Sequence, residues 1–112
     1  MKLKEMMDKL GLELKSDSTA LDAEVQHAYT GDILSDVMSH AKEGSVWITL
    51  QTHRNIVSVA SLKSFAGIIL IGGRQPDDDT LKKANDENIP ILSTAMKTFE
   101  ITGRLYELGI RG

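Results

Sequence analysis

The chain has no cysteine among its 112 residues. That absence excludes a disulfide framework, thiolate-bound zinc, iron–sulfur clusters and thiol catalysis together. Aromatic residues are scarce: Trp47, Tyr29, Tyr106, Phe65 and Phe99 are the full set, too few for the stacking platforms that single-stranded nucleic acid requires. Positive charge is not in excess either, because 13 Lys and Arg face 16 Asp and Glu, for a net charge of −3. Without a basic field, neither nucleic acid nor an anionic membrane is an expected partner. Long apolar runs are missing as well. The longest, AGIILIGG, is far too short to span a bilayer. The opening MKLKEMMDKLGLELK carries charges every few residues and has no apolar core of signal-peptide length. These absences predict a cytoplasmic protein.

What is present is the composition of an ordinary globular domain, 41% hydrophobic and 26% charged. The length suits one domain, residues 1–112, with a genuine but modest core. No linker, low-complexity tract or repeat interrupts it.

Periodicity predicts the elements. In LKEMMDKLGL, residues Leu3, Met6, Met7 and Leu10 recur at helical spacing, and Gly11 is a stop. LELK reads as a short strand, SDST as a polar turn and EVQHAYT as a strand with one wet face. Asp32 is expected to cap a helix over ILSDVMSHAKEG, with Ile33, Leu34, Val37, Met38 and Ala41 on one stripe and Gly44 ending it. A strand–helix rhythm follows. SVWITLQ is a strand and RNIVSVASLKSF a helix; AGIILIG is a strand without alternation, hence covered on both faces. DDDTLKKANDEN is a helix entered after Pro76, with acids at the positive end of its dipole and Asn88 as a left-handed stop. IPILST is the last strand and AMKTFEITGRLYELG the last helix. Strands near 46, 67 and 90 lie about one βα unit apart. The fold class is therefore a layered α/β domain: a mostly parallel sheet of about five strands flanked by helices.

In such a sheet, ligands favour the carboxyl ends of the strands. Those ends offer Asp32 after Thr30-Gly31, then Thr52, His53, Arg54 and Asn55, then Gly72, Gly73 and Arg74, and finally Thr94. If the strands are neighbours, these residues form one rim suited to a small anionic ligand such as a nucleotide. The competing reading is structural, since helix starts and strand ends need polar partners, and Thr52 is a candidate cap for the helix behind it.

Motif searches exclude more than they assign. GGRQPD lacks the spacing of a dinucleotide fingerprint, and no G-x-x-x-x-G-K-S/T loop occurs, so Gly72-Gly73 reads first as a turn requiring positive φ. His27, His40 and His53 have no ligand spacing, and no G-x-S-x-G elbow anchors a triad. Asp77-Asp78-Asp79 points in different directions on a helix and serves its dipole. No catalytic residue, metal site or cofactor is expected. The last helix presents Phe99, Leu105, Tyr106 and Leu108, with Ile110 following. An extra apolar face on a terminal helix predicts docking on a second copy, hence a homodimer.

The segments GDILSDVM, THRNIVSVASLK and GIILIGGRQPDDDTLKKANDENIPILSTAMKTFEITGRLYELGI together resemble the DRTGG domain. That family is named for an Asp-Arg pair followed, about one helix and strand later, by Thr-Gly-Gly. His53-Arg54 stands at the first position and Ile71-Gly72-Gly73 at the second, so the arginine and both glycines match while the aspartate and threonine are replaced. The stretch from IPILST to the last helix is also similar to the N-terminal domain of HPr serine kinases, whose kinase chemistry lies in a separate P-loop domain. The resemblance implies a regulatory or sensory accessory domain without assigned catalytic residues, found fused to CBS-domain pyrophosphatases and phosphate acetyltransferases and also standing alone. Together with the apolar last helix, the expectation is a non-enzymatic module acting through self-association and a partner protein, with the rim ligand as the alternative.

Overall fold

The computed structural model describes all residues, Met1–Gly112. Five strands and five helices follow one another as α1 (Leu3–Leu10), β1 (Glu13–Leu14), β2 (His27–Thr30), α2 (Leu34–His40), β3 (Ser45–Thr49), α3 (Asn55–Leu62), β4 (Gly67–Leu70), α4 (Asp78–Glu87), β5 (Ile91–Ser93) and α5 (Thr98–Glu107). One sheet has the order β1-β5-β4-β3-β2, and only β1 runs antiparallel to its neighbour. From β2 to β5 the chain steps across the sheet in one direction. Crossovers of one hand then place α2, α3 and α4 on the same side. The expected layered, mostly parallel sheet is what the chain forms.

The core lies in two layers. On one side Val46, Ile48, Ile69, Ile71 and Leu92 pack with Leu3 and Met6 of α1 and with Ile101 and Leu105 of α5. On the other, Trp47, Ile68, Leu70 and Ile91 pack with Val37, Ile56, Val57, Ala60 and Ala84 of α2, α3 and α4. Successive strand residues point to opposite faces, and both faces are covered, so β3 and β4 must be apolar throughout. Each such side chain contributes about 1.5–3 kcal/mol by leaving water.

Gly11 and Asn88 adopt left-handed backbone and close α1 and α4, as their residue types predict. Two helix expectations need correction. Helix α2 stops at His40 rather than running to Gly44, because Ala41 turns extended and buries its methyl against the α2–α4 layer. Ile33 does not join the helix stripe; it flanks the helix start and is 69% exposed. The SDST turn proves to be anchored. The Ser16 hydroxyl donates to the Ile89 carbonyl at 2.8 Å and accepts from the Ile91 N–H at 2.8 Å. Ser18 donates to the Asn88 side chain at 3.0 Å. These bonds hold β1 against the β5 edge.

One edge of the sheet is very short and the other is partly covered. The edge strand β1 spans only Glu13–Leu14. Along β2, the Ala28 N–H donates to the Arg111 carbonyl at 3.0 Å, so the chain after α5 lies along that strand.

Candidate functional site

Because β5, β4, β3 and β2 are parallel neighbours, the loops at their carboxyl ends form a single row. The row contains Thr94, then Gly72, Gly73 and Arg74, then Thr52 and His53, then Asp32. The structure thus brings these predicted residues to one edge. Arg54 and Asn55 stand one step away, at the start of α3. Arg54 lines a charged cleft of about 450 Å³ between α3 and α4 with Asp79, Lys82, Lys83, Asp86 and Glu87.

Most of the rim's polar groups are engaged with one another. One Asp32 carboxylate oxygen accepts from the Thr49 hydroxyl and from the Leu50 N–H, both at 2.9 Å. The Asp32 carbonyl also accepts from the Gln51 amide at 3.1 Å. Asp32 therefore fastens the end of β2 to the end of β3 and does not cap α2, whose start lacks a side-chain cap. Thr52 is likewise not the cap of α3, because Arg54 occupies that flanking position. Its carbonyl accepts from the buried Thr80 hydroxyl at 2.7 Å and from the Asp77 N–H at 3.2 Å, fixing the loop to the start of α4. His53 Nδ1 lies 3.2 Å from the Asp77 carboxylate, and both side chains are exposed.

The glycine pair takes positive φ, 62° at Gly72 and 72° at Gly73. This is the left-handed turn expected from the sequence. Both N–H groups are occupied: Gly72 donates to the Met96 carbonyl and Gly73 to the Thr94 carbonyl, each at 2.9 Å. The Arg74 N–H closes the turn on the Ile71 carbonyl at 3.1 Å. A phosphate cradle works by pointing free backbone N–H groups at the anion, and here those groups stitch the β4–α4 loop to the β5–α5 loop. Ile71, at the family's threonine position, is buried in the layer beneath α1 and α5. Arg74 at the rim and Arg54 in the α3–α4 cleft form no ion pair.

A second surface differs in chemistry. Thr30, Thr98, Phe99, Thr102, Gly103 and Tyr106 line a groove of about 420 Å³ on the exposed side of α5, where the helix meets the end of β2. Phe99 is 93% exposed and Tyr106 61% exposed. The Thr30 and Thr102 hydroxyls share a hydrogen bond of 3.2 Å that ties helix to strand. The Arg111 guanidinium sits 3.6 Å above the Tyr106 ring and donates to the Tyr106 carbonyl at 2.7 Å, which holds the ring in place. The apolar residues expected on one face of the last helix are divided. Leu105 and Ile110 face the core, and Phe99 and Tyr106 face outward. The sequence marks Thr30 only as a strand end and does not single out Thr98, Thr102 or Gly103, although a glycine inside an otherwise helical stretch is a readable signal.

Elsewhere, the Tyr29 hydroxyl donates to Asp36, whose other oxygen is 3.1 Å from His40 Nδ1. That hydrogen bond, followed by burial and by the charge of Asp36, raises the Tyr29 pKa above its usual value of 10.0. No group of three His, Cys, Asp or Glu side chains is placed to hold a metal ion. No helix is long and apolar enough to cross a membrane.

With this geometry in hand, comparison with known proteins decides the family. The model of the DRTGG domain matches residues 5–108. The chain belongs to the DRTGG domain family. Among solved structures, this DRTGG domain is similar in fold to the CBS and DRTGG domains of the regulatory region of Clostridium perfringens pyrophosphatase, complexed with its activator diadenosine tetraphosphate. The TM-score is 0.74 at 16% identity, and the match covers 91% of this chain but 44% of that one. The chain therefore corresponds to less than half of that regulatory region. No curated protein sequence matches it.

Proposed function

We propose that residues 1–112 form one non-catalytic regulatory module that acts in the cytoplasm by self-association and by contact with a partner protein. The observation that carries this reading is the outer face of α5, where Phe99 at 93% and Tyr106 at 61% exposure stand beside a groove. Aromatic side chains dominate interface energetics when they become covered. The regulatory setting of the Clostridium perfringens neighbour supports the same role. Sedimentation velocity across a wide concentration range tests it: the expected result is a rise from 12.3 kDa toward twice that mass. A 12.3 kDa monomer at every concentration removes the self-association reading.

A second reading places a small anionic ligand, such as a nucleotide, at the rim formed by Asp32, Thr52, His53, Arg54, Asn55, Gly72, Gly73, Arg74 and Thr94. The unpaired guanidinium of Arg74 favours it, as does the nucleotide activator bound by the neighbour's regulatory region. A ligand at a hundred times its Kd adds about 2.7 kcal/mol to the folded state, so thermal-shift titration with nucleotides reads it directly. Binding that is lost in Arg74→Ala without loss of fold supports the rim. An unchanged Tm at millimolar nucleotide opposes it.

A further inference from the structure

The outer face of α5 has a symmetry of its own. Phe99 and Tyr106 stand three residues either side of the Thr102–Gly103 pair. Two bulky rings thus flank a low centre, and all four residues line the same groove. Gly103 has no internal reason to be glycine. It lies inside α5 without a positive φ, and a methyl group built there would meet nothing within 4 Å. Glycine weakens a helix interior, so the fold by itself would be better served by alanine. A missing side chain on an exposed helix is useful where another backbone approaches closely.

We propose that α5 pairs antiparallel with α5 of a second copy about a two-fold axis that crosses at Thr102–Gly103. This deepens the self-association reading above and rests on it. A two-fold contact is isologous: if residue i meets residue j, then j meets i. With the axis at this pair, Phe99 of each copy meets Tyr106 of the other, and Gly103 lets the helices close. The charges agree. Glu100, Arg104 and Glu107 share one flank of α5, and Glu100 and Arg104 already pair at 3.4 Å while roughly half exposed. An antiparallel two-fold brings that flank against itself, placing Arg104 of one copy about 1.5 Å in axial height from Glu100 of the other. It sets Glu107 beside the first turn of the opposing helix, the positive end of its dipole. A parallel two-fold would instead carry the two charged flanks to opposite sides of the contact, where they form no such pairs. A contact built on one ten-residue helix falls at the small end of interface sizes. The pair therefore forms and separates with concentration.

The test uses the full chain and its lack of native cysteine. Thr102→Cys introduces a single thiol at the axis and leaves Gly103 in place. Ser61→Cys places one on α3, whose helix packs on the opposite side of the sheet. Under mild oxidation Thr102→Cys is expected to form a disulfide dimer and Ser61→Cys is not. In sedimentation equilibrium, Phe99→Ala is expected to weaken the dimer about tenfold or more. Arg104→Glu weakens it too, and the exchange Glu100→Arg with Arg104→Glu restores it. A wild-type dimer that ignores Phe99→Ala, or that cross-links equally through Ser61→Cys, overturns the α5 pairing and leaves self-association standing. A rescue that fails while Phe99→Ala still weakens the dimer overturns the antiparallel register. A wild-type chain that is monomeric throughout overturns the pairing and the self-association reading together.

Discussion

The strand-end rim and the outer face of α5 are both exposed, yet they differ in how far the molecule uses them. At the rim, Asp32, Thr52, Gly72, Gly73 and the Thr94 carbonyl all have hydrogen-bond partners within the chain. On α5, Phe99 and Gly103 have no internal work. A polar constellation at the usual ligand edge can thus be largely internal fastening, whereas an idle aromatic beside an idle glycine points outward. Composition does not separate the two cases. Satisfaction of hydrogen bonds and occupation of space do.

If the rim fastens the fold, its largest cost should appear at Asp32. Asp32→Ala removes a charged acceptor from two donors and is expected to destabilise the chain by about 2–3 kcal/mol in urea denaturation. A loss within about 0.5 kcal/mol, the range of ordinary surface changes, would break the comparison on the rim side. Next comes Gly73→Ala, which forces an L side chain into left-handed backbone at a cost of about 1–2 kcal/mol, although the space beside it is open. Gly103→Ala should have the opposite sign. It is expected to raise stability by about 0.5–1 kcal/mol, measured at a concentration where the chain is monomeric, while weakening self-association. The smallest effect is expected at Arg74, where Arg74→Ala should leave stability within about 0.5 kcal/mol. A larger loss there would transfer Arg74 from the free groups to the fastening ones.

Much of the architecture was legible because local chemistry and tertiary need coincide. The unalternating β4 had to lie between two helical layers, and Gly11 and Asn88 had to end helices. Asp32 shows where that coincidence fails. A short acid before an apolar periodic stretch looks like a cap, but its carboxylate turns to Thr49 and Leu50, whose nearness exists only once β2 and β3 pair. Ile33 and Leu105, the one exposed and the other buried against expectation, fail for a related reason. Spacing identifies apolar residues and not which side of a helix the sheet will cover, so a helix carrying Phe99, Ile101, Leu105 and Tyr106 has two apolar directions. Only docking on the sheet decides between them. The row of strand-end residues was legible as a set because strand parallelism was. Which of them remain free was not, since the answer lies in bonds such as Gly73 to Thr94 that join loops distant in sequence.

The bond from the Ala28 N–H to the Arg111 carbonyl bears on the kind of assembly available to this chain. An uncovered β2 would invite strand-to-strand addition, which repeats without end and leads toward fibres. With that edge partly covered and β1 reduced to two residues, the sheet offers little free strand for a joint. A two-fold contact on a helix surface, as proposed for α5, would satisfy both copies at once and offer nothing to a third. Such an assembly would be a closed pair rather than a growing chain of strands.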